Sequence, residues 1–122
     1  MKYPRITIHG QPPSKSNRKG ITKTGHYYKP NAVKLYEDAF FLQCPLRGTT
    51  SNPLITTPFT IHADVFFRSN AADLDNSLKV LLDILQSKCH VIRNDNLCAE
   101  IHVRKFVDKS DPRIEFELEE IY

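Results

Sequence analysis

The stretch Asp73-Leu74-Asp75-Asn76-Ser77-Leu78-Lys79-Val80-Leu81-Leu82-Asp83 organises the reading of the whole chain. At ~100° per residue, Leu74, Leu78, Leu81, Leu82 and Leu85 fall within one stripe. The segment is therefore read as an amphipathic helix that lays its leucines on a core. Val80 and Ile84 then fall on the opposite side, toward a second packed layer or a second copy of the chain. Asp73 occupies the N-cap position, just before the apolar period begins. Asp75, Lys79 and Asp83 make an i, i+4, i+8 row beside the stripe, and Asn76 lies next to Asp75.

Each piece taken alone has a plain structural explanation. Asp73 can be a helix cap, and Asp75, Lys79 and Asp83 can be surface ion pairs worth ~0.3–0.5 kcal/mol each. The combination asks for more, because a cap needs one carboxylate. Two carboxylates in the first turn repel unless a cation sits between them. Oxygen-rich groups of this kind suit hard cations such as Mg²⁺, and a nearby lysine can neutralise phosphate charge. Asp95 lies in the polar turn Asn94-Asp95-Asn96, where the chain can return toward the helix N-terminus and add a carboxylate to the same point.

Working outward, Phe59 to Arg68 alternates, with Phe59, Ile61, Ala63, Val65 and Phe67 on one face, and reads as a strand. Arg5 to His9, Ala99 to Phe106 and Arg113 to Ile121 also read as strands, and Cys89 to Arg93 as a short one. Asn31 to about Cys44 reads as a helix with Val33, Tyr36, Ala39, Phe40 and Leu42 as its apolar positions. The order of elements predicts one α/β (α+β) domain over residues 1–122, a small mixed β-sheet with helices packed on one face.

The net charge of +3 hides a strong asymmetry. Met1 to Tyr36 holds eight Lys and Arg and no acid, whereas the remainder holds nine basic and fourteen acidic residues. Residues from about 10 to 29 form a long Pro-, Gly- and Ser-bearing loop that carries Lys15, Arg18, Lys19, Lys23 and Lys29 beside Tyr27 and Tyr28. Basic side chains among aromatics suit phosphate contact and base stacking. A polyanion-binding surface and a merely solvated basic loop both remain open on charge alone.

Other classes are disfavoured. Cys44, Cys89 and Cys98 are odd in number and irregularly spaced, so they read as reduced thiols rather than a disulfide framework or zinc site. His9, His26, His62, His90 and His102 are scattered singly and read as ordinary surface or core residues. No stretch approaches the ~20 apolar residues of a membrane helix, and the first ten residues lack a signal-peptide core. A cytoplasmic protein is expected. There is no Gly-rich phosphate loop, nucleophile elbow or CxxC motif.

Asp73-Leu74-Asp75-Asn76 with Lys79, Asp83 and then Ile92-Arg93-Asn94-Asp95 resembles the RusA family of Holliday-junction resolvases. The flanks are similar too: Ile6 to Ser14 runs as a strand into Pro12-Pro13-Ser14 ahead of the basic loop, Phe59 to Phe67 feeds the acidic motif, and Arg113 to Ile121 closes the chain. The resemblance implies a small homodimeric endonuclease, bacterial or phage- and prophage-encoded, that uses Mg²⁺ or Mn²⁺ to nick four-way DNA junctions in recombination and repair. Carried over, Asp73, Asp75 and Asp95 would bind metal and Lys79 would be the catalytic lysine. Asn76 and Asp83 would support them. The chain departs from the family in having Asn94-Asp95 where Asp-Asp is common, and the segment before that turn is about one residue longer. A non-catalytic junction binder of the same fold, or a nuclease for another branched DNA or RNA, are the rival expectations.

Overall fold

The computed structural model describes residues 1–13 and 31–121, together with the backbone of residues 20–21 and 27–28. In chain order it contains β1 (Ile6–His9), β2 (Gly20–Ile21), β3 (Tyr27–Tyr28), α1 (Asn31–Gln43), β4 (Phe59–Phe67), α2 (Leu74–Ser87), a 3₁₀ turn (Asp95–Leu97), β5 (Cys98–Val107) and β6 (Arg113–Glu120). β2 and β3 form a short antiparallel pair of their own.

The main sheet runs β1-β6-β4-β5. β6 pairs antiparallel with both β1 and β4, while β5 lies parallel to β4. The mixed sheet matches the expectation from sequence. Joining parallel strands requires a crossover, and α2 is that crossover. It therefore begins near the end of β4 and returns toward the start of β5.

One face of the sheet builds the core. Phe59, Ile61, Ala63, Val65 and Phe67 of β4, Ile114, Phe116 and Leu118 of β6, and Ile6 and Ile8 of β1 are all buried. They share one apolar cluster with Tyr36 and Phe40 of α1 and with Val80, Leu81, Ile84 and Leu85 of α2. The rings of Phe40 and Phe116 stack at 5.9 Å. On the opposite face, Asp64 is gripped by Arg5 at 2.8 Å and by Arg104 at 2.8 and 3.0 Å. Beside it His62 stacks on His102 at 4.6 Å, and Phe66 on Phe106 at 4.9 Å.

Several details differ from the sequence reading. The core-facing residues of α2 are Ser77, Val80, Leu81, Ile84 and Leu85, while Leu74, Leu78 and Leu82 are only half-buried. The helix is thus turned by roughly 80° from the leucine stripe, at ~100° per residue. The reason is Ser77: it is buried because its hydroxyl donates to the Pro13 carbonyl at 2.6 Å, which satisfies a polar group that pattern reading assigns to solvent. Val80 and Ile84 are accordingly core residues and not a second surface. In α1, Ala39 and Leu42 are exposed, and the buried positions are Val33, Tyr36, Glu37 and Phe40. Cys89 to Arg93 makes a single bridge, Ile55 to Ile92, instead of a strand. The three cysteines are free, two buried and Cys98 half-buried. Among the described residues no helix is long and apolar enough to cross a membrane.

Candidate metal centre

β4 ends at Phe67 on the buried face, and the chain must turn outward before α2 can start. That turn is fastened at three points. The Arg68 amide donates to Gln11 Oε1 at 2.9 Å. Lys105 of β5 donates from Nζ to the carbonyls of Asn70 at 2.9 Å and Ala72 at 2.6 Å. Sequence reading missed Lys105 because the carbonyls it binds are 35 and 33 residues away along the chain.

Asp73 then occupies the N-cap position with extended backbone, φ −102° and ψ 115°, but its side chain makes no capping bond. Its Oδ2 instead accepts from Asn76 Nδ2 at 3.2 Å. Its carboxyl also lies close enough to that of Asp75 for the two to interact directly. The contact with Asp75 raises Asp73, while the same contact, aided by the charge of Lys79, lowers Asp75. Both groups are exposed. Rotating α2 leaves Asp75, Lys79 and Asp83 opposite the core, so the whole row faces solvent.

Two exposed carboxylates in contact, an amide bracing one of them and a lysine a turn away make a donor set suited to a hard divalent cation. A cation between the oxygens would offset their mutual repulsion. The chemistry of these residues therefore fits the metal that the sequence suggested.

Asp95 is placed elsewhere. Its amide donates to Gln86 Oε1 at 2.9 Å, near the C-terminal end of α2. From Asp73 to Gln86 the helix climbs about 20 Å at ~1.5 Å per residue. The turn does not return to the helix N-terminus, and among the described residues no group of three or more His, Cys, Asp or Glu is assembled to hold a metal. The correction follows from topology: a parallel crossover places the start of α2 and the start of β5 at opposite ends of the sheet. Asn94 has a local role in that turn, accepting from the Asn96 amide at 3.0 Å.

Ser77 adds a link that pattern reading could not supply. By bonding Pro13 it ties the acidic helix to the segment that leads into the basic loop. The loop residues Lys15, Arg18, Lys19, Lys23 and Lys29, and His26, lie outside the described residues.

The sequence that builds this arrangement has counterparts among known proteins. The family profile described as Endodeoxyribonuclease RusA matches residues 9–119, nearly the whole chain. The chain belongs to the RusA endodeoxyribonuclease family. A relative from Aquifex aeolicus (strain VF5), named crossover junction endodeoxyribonuclease RusA, is 33% identical over 100 residues, covering 80% of this chain and 76% of its own. In this RusA-family chain the matched region contains the carboxylate pair, Lys79, Asp95 and Lys105.

Proposed function

We propose that the protein resolves four-way DNA junctions by metal-dependent, paired phosphodiester hydrolysis. The observation that supports this most is the contact between the Asp73 and Asp75 carboxyls at the exposed start of α2, with Lys79 one turn along. Asp73 and Asp75 would hold Mg²⁺, or Mn²⁺ in its place. The bound cation would supply Lewis-acid polarisation of the scissile phosphate and a water of lowered pKa. Asn76 keeps the Asp73 carboxylate turned toward Asp75. Lys79 offsets the negative charge that builds on the phosphate in the transition state. Asp83, a further turn along the same exposed row, would support Lys79. Lys15, Arg18, Lys19, Lys23 and Lys29 would grip the DNA backbone, with affinity falling steeply as salt rises.

The placement of Asp95 favours a homodimer. One protomer offers the Asp73–Asp75 pair at one end of its crossover and Asp95 at the other. Two copies of this crossover laid antiparallel about a two-fold axis would bring each acidic pair to the other copy's Asp95, producing two equivalent sites. Apolar side chains flank the route: Ile101 is 50% and Val107 48% exposed on the edge strand β5. Leu78 and Leu82 on α2 are half-buried. Two sites match a task that needs two strands cut.

The test is cleavage of a labelled synthetic four-way junction with Mg²⁺, Mn²⁺ or EDTA, beside the Asp75→Asn variant, with excess duplex and single strand as competitors. Metal-dependent nicks at the junction that vanish in the variant are expected. Tight junction binding without nicks under either metal would instead identify a non-catalytic binder. Cleavage suppressed by the duplex or single-strand competitor would identify another substrate.

A further inference from the structure

A lysine on the helix-facing side of a strand is costly unless its ammonium is satisfied. Lys105 sits in that position on β5, opposite Val65 and on the same side as Val103. Its ammonium lies 5.9 Å from the centre of the Phe67 ring and donates to the Asn70 and Ala72 carbonyls. Those carbonyls belong to the turn that hands the chain from β4 to Asp73. Ala72 is the residue immediately before Asp73, and its bond to Lys105 is the shorter of the two at 2.6 Å.

We propose that Lys105 is a positioning residue for the metal site, holding the turn at Asn70 and Ala72 so that Asp73 meets Asp75 in the geometry a divalent cation needs. The inference rests on the metal reading above. Geometry supports it in two ways. The tie comes from β5, hydrogen-bonded along its length to the core strand β4, onto a turn with no regular structure of its own. It also acts on backbone carbonyls, so it fixes where the Asp73 Cα lies without competing for the carboxylate oxygens. Supporting groups behind ligands typically carry 10–100-fold in metal affinity.

The experiment compares wild type with Lys105→Met, which keeps an unbranched stem without the donors, and Lys105→Arg, which keeps charge and donors. Mn²⁺ binding to the DNA-free protein is followed by titration calorimetry. Junction binding in EDTA, thermal midpoint and single-turnover cleavage are measured alongside. The expectation for Lys105→Met is Mn²⁺ binding weakened on the order of 10-fold, with cleavage slowed and partly recovered at high Mn²⁺. Junction affinity in EDTA stays at the wild-type level, and Lys105→Arg stays close to wild type throughout. Should Lys105→Met fail to fold, Lys105→Gln, which retains an amide donor, serves in its place. Unchanged Mn²⁺ affinity in a folded neutral variant overturns the inference and leaves the nuclease reading standing. So does a loss of junction affinity in EDTA, which would make Lys105 a DNA contact. A wild type that binds Mn²⁺ but cuts no junction removes the nuclease reading alone. A wild type that binds no Mn²⁺ removes both.

Discussion

At the start of α2, Asp73 forgoes the capping bond that its position offers and turns to Asn76 and Asp75. Losing a cap costs a helix typically ~1 kcal/mol, and a second carboxylate adds repulsion. Local conflict of this kind is expected where function rather than stability sets the residues. Asp75→Asn should therefore abolish cleavage and Mn²⁺ binding while leaving the metal-free thermal midpoint at or slightly above wild type. Calorimetric scans with and without Mn²⁺ check both halves, and a lower metal-free midpoint would mean that the carboxylate is structural. Lys79→Met should keep Mn²⁺ affinity and lower the single-turnover rate by about 10²–10³, the scale for one transition-state charge partner. That Asp73, Asp75 and Lys79 lie side by side was legible from sequence because they fall within two turns of one helix, where spacing fixes proximity. Lys105 was illegible for the opposite reason: its contact with the turn is made through the fold.

Element by element, alternation in β4 and β6 was sufficient to read them, since a strand with one buried face leaves no second interpretation. α2 was harder, because counting leucines ignores a serine whose hydroxyl finds a partner. Its true orientation makes a direct prediction. Ile84→Ala should destabilise by about 2–5 kcal/mol, as for other fully buried aliphatics, whereas Leu78→Ala should cost far less. Chemical denaturation of the two variants checks this, and the reverse order would restore the leucine stripe as the core face. The sheet's open face yields a pH prediction. Hydrogen bonds from Arg104, opposed by burial and helped by Arg5, hold the Asp64 carboxyl below its ordinary value. A carboxyl lowered on folding contributes stability above its unfolded pKa of about 4, and that contribution is lost as pH falls through the folded value. Asp64→Asn should thus be less stable than wild type at pH 7, with the gap closing below about pH 4. A gap independent of pH would show that the network contributes through packing alone.

For the whole molecule, topology carries the part of the site that sequence misplaced. Asp95 read as a convergent ligand because it is close to α2 in sequence, yet a parallel crossover sends it to the far end. If two copies complete each other, mixing inactive Asp75→Asn with inactive Asp95→Asn should restore nicking, because one of the two sites in each mixed dimer keeps both wild-type residues. Sites contained within one chain would give no recovery. The most direct test of the central claim is a supercoiled plasmid that extrudes a cruciform, incubated with the protein and Mg²⁺. One nick relaxes the plasmid and reabsorbs the junction, so linear product requires two cuts within the lifetime of one complex. The account predicts linear plasmid that disappears with EDTA and with Asp75→Asn. Open circles alone, or linear product that persists in EDTA, would contradict it.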